Sequence, residues 1–156
     1  MKSKNINIGR EVNKFLNRIN RQINTVVSAY GITGPQAHII NFVYDRSQES
    51  TVLQRDIEKE FEIRRSSTTN ALHILEKKGL ISRNGVDNDA RLKQVLLTNE
   101  GVKIQKIVSK IIFDSDQALR EYLTQQEFAL LIKITSKLPG IYESSLKAKW
   151  QEADKG

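Results

Sequence analysis

Cysteine is absent from all 156 residues. That excludes disulfides, thiolate metal ligands and cysteine-based redox sensing, and it is compatible with a cytoplasmic location. Proline occurs twice and glycine eight times, too little punctuation for a sandwich of many short strands. No apolar run approaches the roughly 18 residues that a membrane span needs. The opening Met-Lys-Ser-Lys-Asn is basic but lacks an apolar stretch behind it, so no secretory signal and no membrane partner is expected. His38 and His73 are the only histidines; without cysteine they argue against a transition-metal site. P-loop, GxGxxG, HExxH and GxSxG patterns are all missing. The expectation is a non-enzyme without metal or cofactor.

What the chain has in plenty is charge. Lys and Arg number 25 against 18 Asp and Glu, a net +7, an excess that favours polyanionic partners. Its distribution is uneven. Residues 1–30 hold six basic side chains and one acidic, whereas residues 52–98 hold nine and seven. The excess therefore sits mostly at the start of the chain, and charge alone is a weak guide to where a polyanion would bind.

Hydrophobic periodicity orders the rest. Val12, Phe15, Leu16, Ile19, Ile23, Val26, Val27 and Tyr30 recur with a 3.6-residue period, predicting a long amphipathic helix that ends at Gly31. Thr33-Gly-Pro-Gln36 has the spacing of a capping box with proline in the first turn, and opens a second helix through Ala37, Ile40, Phe42 and Val43. A short third helix reads Val52 to Phe61, with Leu53, Ile57 and Phe61 inward. After Glu62-Ile63 a fourth carries Thr68, Ala71, Leu72 and Leu75 on its inner face and ends at Lys77-Lys-Gly79. Leu80 to Arg83 and Leu92 to Thr98 read as strands joined by the turn-rich segment 84–89. A long helix from Thr98 to about Tyr122 follows. Thr124-Gln-Gln-Glu127 then caps a last helix ended by Pro139-Gly140, with a short extra helix or frayed end around Tyr142, Leu146 and Trp150. The apolar stripes of the terminal helices exceed what one small core covers, which predicts pairing with a second copy.

Short helix, tight turn, second helix and hairpin make a winged helix-turn-helix, a module whose second helix enters the DNA major groove. Arg64-Arg-Ser-Ser-Thr-Thr-Asn70 opens that helix. Its hydroxyls let the backbone come close to a duplex, its arginines can neutralise phosphates or reach guanine, and Asn70 can pair with adenine. Ser and Thr are also ordinary helix-start residues, so this run gains weight only from the Asn70-to-Ile81 segment behind it. His73, on the outer face, could meet a phosphate, a base or solvent alone.

Gln54-Arg-Asp-Ile57, Leu75-Glu-Lys-Lys-Gly-Leu-Ile81, the wing signature Asp89-Ala-Arg91, and Leu97-Thr98 with Glu100-Gly101 at the start of the long helix together carry a resemblance, over residues 10–138, to the MarR family of bacterial winged-helix regulators. Gly31-Ile-Thr33 and Gln36 fit the junction of the first two helices. It implies a mainly α single domain over 1–156, with a winged lobe at 32–98 and dimerisation helices at 8–31 and 99–150. It further implies a homodimeric repressor on a pseudo-palindromic double-stranded DNA operator. The implied DNA-contacting set is Arg64, Arg65, Ser66, Ser67, Thr69, Asn70, His73, Arg83, Asp89 and Arg91. Arg91 would border the minor groove and Asp89 would hold the hairpin; the plainer reading is a surface ion pair. A small aromatic or anionic effector would sit near Tyr30, His38, Phe42 and Ile111, residues that serve equally well as core. Arg64 departs from the family, which usually has a capping residue there, so capping would shift to Ser66 or be lost. A winged-helix module that binds a protein instead of DNA is the competing expectation; it would call for an apolar or acidic recognition surface.

Overall fold

The computed structural model describes residues 7–86 and 89–141, with side chains for 7–85 and 93–138. The element order is α1 (Ile8–Val27), one turn of 3-10 helix (Ser28–Tyr30), α2 (Gly34–Ser47), α3 (Gln54–Glu60), α4 (Arg65–Lys77), β1 (Ile81–Val86), β2 (Asp89–Leu97), α5 (Asn99–Tyr122) and α6 (Gln125–Ile141). The chain divides after Phe113 into two compact units. The fold is mainly helical with a two-stranded antiparallel wing, as expected.

Local chemistry sets most boundaries of the first unit. Asn7 caps α1 by accepting from the Arg10 N–H at 2.9 Å. Gln36 reaches back to the Thr33 N–H at 3.0 Å, the reciprocal half of the capping box at α2. At the end of α4 the Leu80 N–H bonds the Leu75 carbonyl (3.0 Å) and the Gly79 N–H bonds that of Glu76 (2.9 Å). That closure needs a left-handed residue, and Gly79 supplies it at φ 68°.

Ile23 and Val27 of α1 pack with Ile40 and Val43 of α2, Ile57 of α3, Leu72 and Leu75 of α4, Val95 of β2, and Ile104 and Val108 of α5 in one buried cluster. Burying a side chain of this size contributes roughly 1.5–3 kcal/mol. Gln105 is buried among them and donates to Asn41 Oδ1 at 3.1 Å, satisfying a polar group that burial would otherwise penalise. The upstream stripe behaves differently: Val12, Phe15 and Leu16 stay 40%, 41% and 48% exposed.

Three expectations need correction. Val52 and Leu53 precede α3; the Val52 carbonyl accepts from the Val95 N–H at 2.8 Å and Leu53 bridges Gln94. Pairing with the free edge of β2 satisfies backbone groups that a first helical turn would leave open. The strands also extend into the predicted turn, because Asn84 and Gly85 pair with Gln94 and Lys93. Weak strand formers are held there by the ladder, a tertiary effect that propensity does not register. The register shifts between Gly85 and Val86, and Val86 pairs with Asp89. Finally, α6 runs through Pro139-Gly140 to Ile141. Proline's φ is itself helical, and near a helix end it removes only one hydrogen bond. The expected extra helix around Tyr142, Leu146 and Trp150 lies outside the described residues.

In the second unit, α6 opens with the predicted capping box. Glu127 accepts from the Thr124 N–H (2.9 Å) and hydroxyl (2.8 Å), and these bonds hold its carboxyl below the ordinary carboxylate value. The Arg120 guanidinium lies 4.3 Å from the Phe128 ring centroid, a cation–π contact. Among the described residues no helix is long and apolar enough to cross a membrane.

Candidate nucleic-acid interface

The site is built from α3, the turn after it, α4 and the wing. Leu53 N–H donates to Asp56 Oδ2 at 2.8 Å, which starts α3. Glu62 turns the chain at φ 50°, and the Ile63 N–H returns to the Glu58 carbonyl at 3.2 Å. Such a turn joins two short helices at a fixed angle.

Arg64 then takes the N-cap position of α4 in extended conformation, without a side-chain cap. Of the two outcomes open for capping, the structure has the loss: α4 starts at Arg65 and Ser66 is already inside it. The N–H groups of this first turn therefore have no intrahelical acceptor and stand at the positive end of the helix dipole.

Burial separates the two faces of α4. Thr68, Leu72 and Leu75 are fully buried, and Thr68 Oγ1 donates to the Arg64 carbonyl at 3.3 Å. Arg64, Arg65, Ser66, Ser67, Thr69, Asn70 and His73 are all exposed. The structure thus brings the α4 members of the expected set onto one solvent-facing, cationic and hydroxyl-rich surface. No acidic residue lies between Arg64 and Leu75.

Two neighbours gain roles that sequence reasoning missed. Gln54 Nε2 donates both to Glu58 Oε1 (2.8 Å) and to Thr69 Oγ1 (2.9 Å), tying α3 to the exposed face of α4. Glu76, at the end of α4, accepts from Arg83 Nε at 3.0 Å and from Arg83 Nη2 through a second, shorter bond. The Arg83 hydrogen bond holds the Glu76 carboxyl below its ordinary value against the opposing effect of burial; the charges of Arg83, Lys93 and His73 act the same way as the bond. Arg83, expected among the DNA contacts, therefore has its guanidinium taken up within the protein. The signal for this pair was a Glu and an Arg seven residues apart across a Gly-terminated helix end. Asp89 and Arg91 lie on β2; their side chains are outside the described set.

The four residues expected near an effector fall in different settings. Tyr30 is 42% exposed in the 3-10 turn. His38 is half-buried on α2, and Ile111 is half-buried against the core. Phe42 packs edge-on against Phe61, ring centroids 5.7 Å apart at 79°. It also lines an open recess of about 340 Å³ with Arg46, Asp56, Lys59 and Glu60. Tyr30, His38 and Ile111 are not part of that recess.

A model described as the MarR family matches residues 30–92, from the end of the 3-10 turn into the wing. The HTH-type transcriptional regulator FarR of Neisseria gonorrhoeae is 28% identical over 123 residues, 79% of this chain and 82% of that protein. The crystal structure of the transcription regulator MarR from Oenococcus oeni PSU-1 superposes with a TM-score of 0.74 at 28% identity, covering 86% of this chain and 99% of that one. A mutant MarR from E. coli, complexed with operator DNA, superposes at 0.72 with 25% identity, covering 85% and 94%.

Proposed function

Because residues 30–92 match the MarR family, we propose that this chain is a transcriptional regulator of that kind: a homodimeric, sequence-specific double-stranded DNA-binding repressor, released from its operator by a small ligand. The observation that carries the proposal is the exposed face of α4. Its seven outward residues from Arg64 to His73 include two arginines and no carboxylate, while the opposite face is locked into the core. That surface offers what phosphates and base edges take: cations, hydroxyls, an amide and open backbone N–H groups. An acidic or apolar face would have favoured a protein partner, and this one is neither.

In the proposed complex α4 lies in the major groove. Arg64, Arg65, Ser66 and Ser67 meet phosphates near its start, and Thr69, Asn70 and His73 face base edges or the groove wall. Asn70 reads adenine in bidentate fashion. The wing brings Arg91 toward the minor groove, with Asp89 steadying the hairpin. Winged lobe 32–98 is the reading part, and helices 8–31 and 99–150 are the pairing part. The exposed apolar residues Val12, Phe15 and Leu16 of α1, and Leu130, Ile132 and Ile134 of α6, are the surfaces that a second copy would cover. A two-fold dimer places two α4 helices about one DNA turn apart, so the operator is a pseudo-palindrome with half-sites roughly 10 bp apart. A small aromatic or anionic ligand near Tyr30, His38, Phe42 and Ile111 would release DNA if it bound a differently spaced dimer more tightly. The cytoplasm is where such a protein acts.

The test is fluorescence anisotropy with the duplex upstream of this protein's own gene against a scrambled duplex, across a salt series. Preferential binding that survives about 150 mM salt, at one dimer per site, is the expected result. A folded, ligand-free dimer that bound no DNA at all, including a random-sequence pool, would overturn it.

A further inference from the structure

We propose that Glu76 and Arg83 form a clamp that sets the angle of the wing against α4, so that Glu76 is a positioning residue for the wing's contact with DNA. The proposal rests on the DNA-binding reading above and adds to it a residue of the wrong charge for direct contact.

Glu76 lies in the last turn of α4, and Arg83 is the third residue of β1, where it pairs with Val95. Between them the chain reverses at Gly79, whose φ is 68°. Along the chain a single turn joins helix to wing, while Ile81 and Val95 at the wing base pack in the core cluster that holds Leu72 and Leu75 of α4. Two donors of one guanidinium converge on one carboxylate oxygen across that turn. Their side chains are only 18% (Arg83) and 36% (Glu76) exposed, whereas the pairs Arg10–Glu11, Lys14–Glu11, Arg46–Glu49 and Lys103–Glu100 involve side chains at least half exposed. A partly desolvated, charge-assisted bond with two donors on one carboxylate oxygen is among the stronger side-chain hydrogen bonds and resists separation of the two elements.

Leverage gives the clamp its consequence. From the Arg83–Val95 pair to the Val86–Asp89 pair is three residues of strand, roughly 10 Å. A tilt of about 6° at the base would displace the Asp89 backbone by about 1 Å over that length. Hydrogen bonds weaken sharply over such a distance.

The sign of one substitution separates this idea from plain electrostatics. Glu76→Gln removes a negative charge close to the proposed DNA surface, so field effects alone tighten binding. The clamp demands the reverse. Glu76→Gln, Arg83→Gln, the double variant and the reciprocal exchange (E76R with R83E) would be measured for operator affinity and salt slope, beside amide exchange at Asn84 and Gln94 in the free protein. Each single variant is expected to lose about tenfold in affinity, the scale of one charge-assisted bond, with an unchanged salt slope. The double variant should lose no more than either single one, and the exchange should recover most of the loss. Binding by Glu76→Gln at or above wild-type strength overturns the clamp. So does a fall of about one in the salt slope of Arg83→Gln, which marks direct phosphate contact. If the wild type showed no preference for any duplex, the DNA reading would be what fails. The clamp is then decided by exchange at Asn84 and Gln94: faster in both singles and restored in the exchange variant sustains it, unchanged rates discard it.

Discussion

Replacing Gly101 by alanine puts the docking of α5 on the wing to a quantitative test. By helix propensity the change should stabilise, because alanine in a helix is favoured over glycine by up to about 1 kcal/mol. The structure reverses the sign. A Cβ on Gly101 would lie 2.0 Å from the Leu80 carbonyl oxygen, 3.0 Å from its carbon and 3.4 Å from Leu97 Cβ. Real Cβ contacts essentially never fall under 3.0 Å, so the oxygen must retreat by about 1 Å. It is not free to do so, since it accepts the Thr98 N–H at 3.1 Å. The Thr98 hydroxyl in turn donates to the Gly79 carbonyl (2.6 Å) and accepts the Gly101 N–H (3.0 Å). Breaking the Thr98–Leu80 bond costs about 1 kcal/mol, and overpacking a tight contact costs roughly 1–3 kcal/mol. Set against the propensity gain, the net is a destabilisation of about 1–3 kcal/mol. At a urea m-value of about 2 kcal/mol/M, the midpoint falls by about 0.5–1.5 M. The assay is urea unfolding followed by far-UV circular dichroism at fixed protein concentration. Gly79→Ala is the control: it meets no atom within 4 Å and suffers only from φ 68°, a strain of about 1–2 kcal/mol. A Gly101→Ala protein as stable as wild type, or more so, would refute the close approach of α5 to Leu80.

Four further outcomes are expected. Arg91→Ala weakens binding to all duplexes alike and flattens the salt slope by about one, read by anisotropy; an unchanged slope removes Arg91 from the interface. Asn70→Ala relaxes discrimination at one base pair by about 1–3 kcal/mol, visible across a panel of single-base operator variants, whereas uniform loss at every position contradicts base reading. Phe15→Glu, at a position 41% exposed on α1, converts the proposed dimer to monomer in sedimentation velocity without unfolding it, and a dimer that persists counts against that face as the interface. The pH dependence of the Glu76–Arg83 pair follows from a Glu76 carboxyl held below its ordinary value of 4.5 by the Arg83 hydrogen bond. A depressed carboxylate stabilises above its unfolded pKa and loses that contribution as pH falls through the folded one. The melting-temperature gap between wild type and Glu76→Gln should therefore hold from neutrality to about 4.5 and close below it; a gap that widens in acid has the wrong sign.

Sequence alone determined what depends on neighbours in the chain. The capping boxes at Thr33–Gln36 and Thr124–Glu127, the reversal at Gly79 and the buried face Thr68, Leu72 and Leu75 were all legible, because caps and helical periodicity act over three or four residues. The outward residues of α4 were legible for the same reason, as the complement of the inward ones. Tertiary structure decided whatever needed a partner far along the chain. Val52 left its helix to pair with Val95, Asn84 and Gly85 were drawn into a strand by Gln94 and Lys93, and Arg83 was claimed by Glu76 rather than left to solvent. Along α1 the periodicity put Val12, Phe15, Leu16, Ile23 and Val27 on one stripe. Only packing divided it, sealing Ile23 and Val27 at 1% and 0% exposure and leaving the first three open. A stripe records which residues share a face; how much of that face is covered depends on where α2 and α5 end up, and contacts set by distant segments are not written in local spacing.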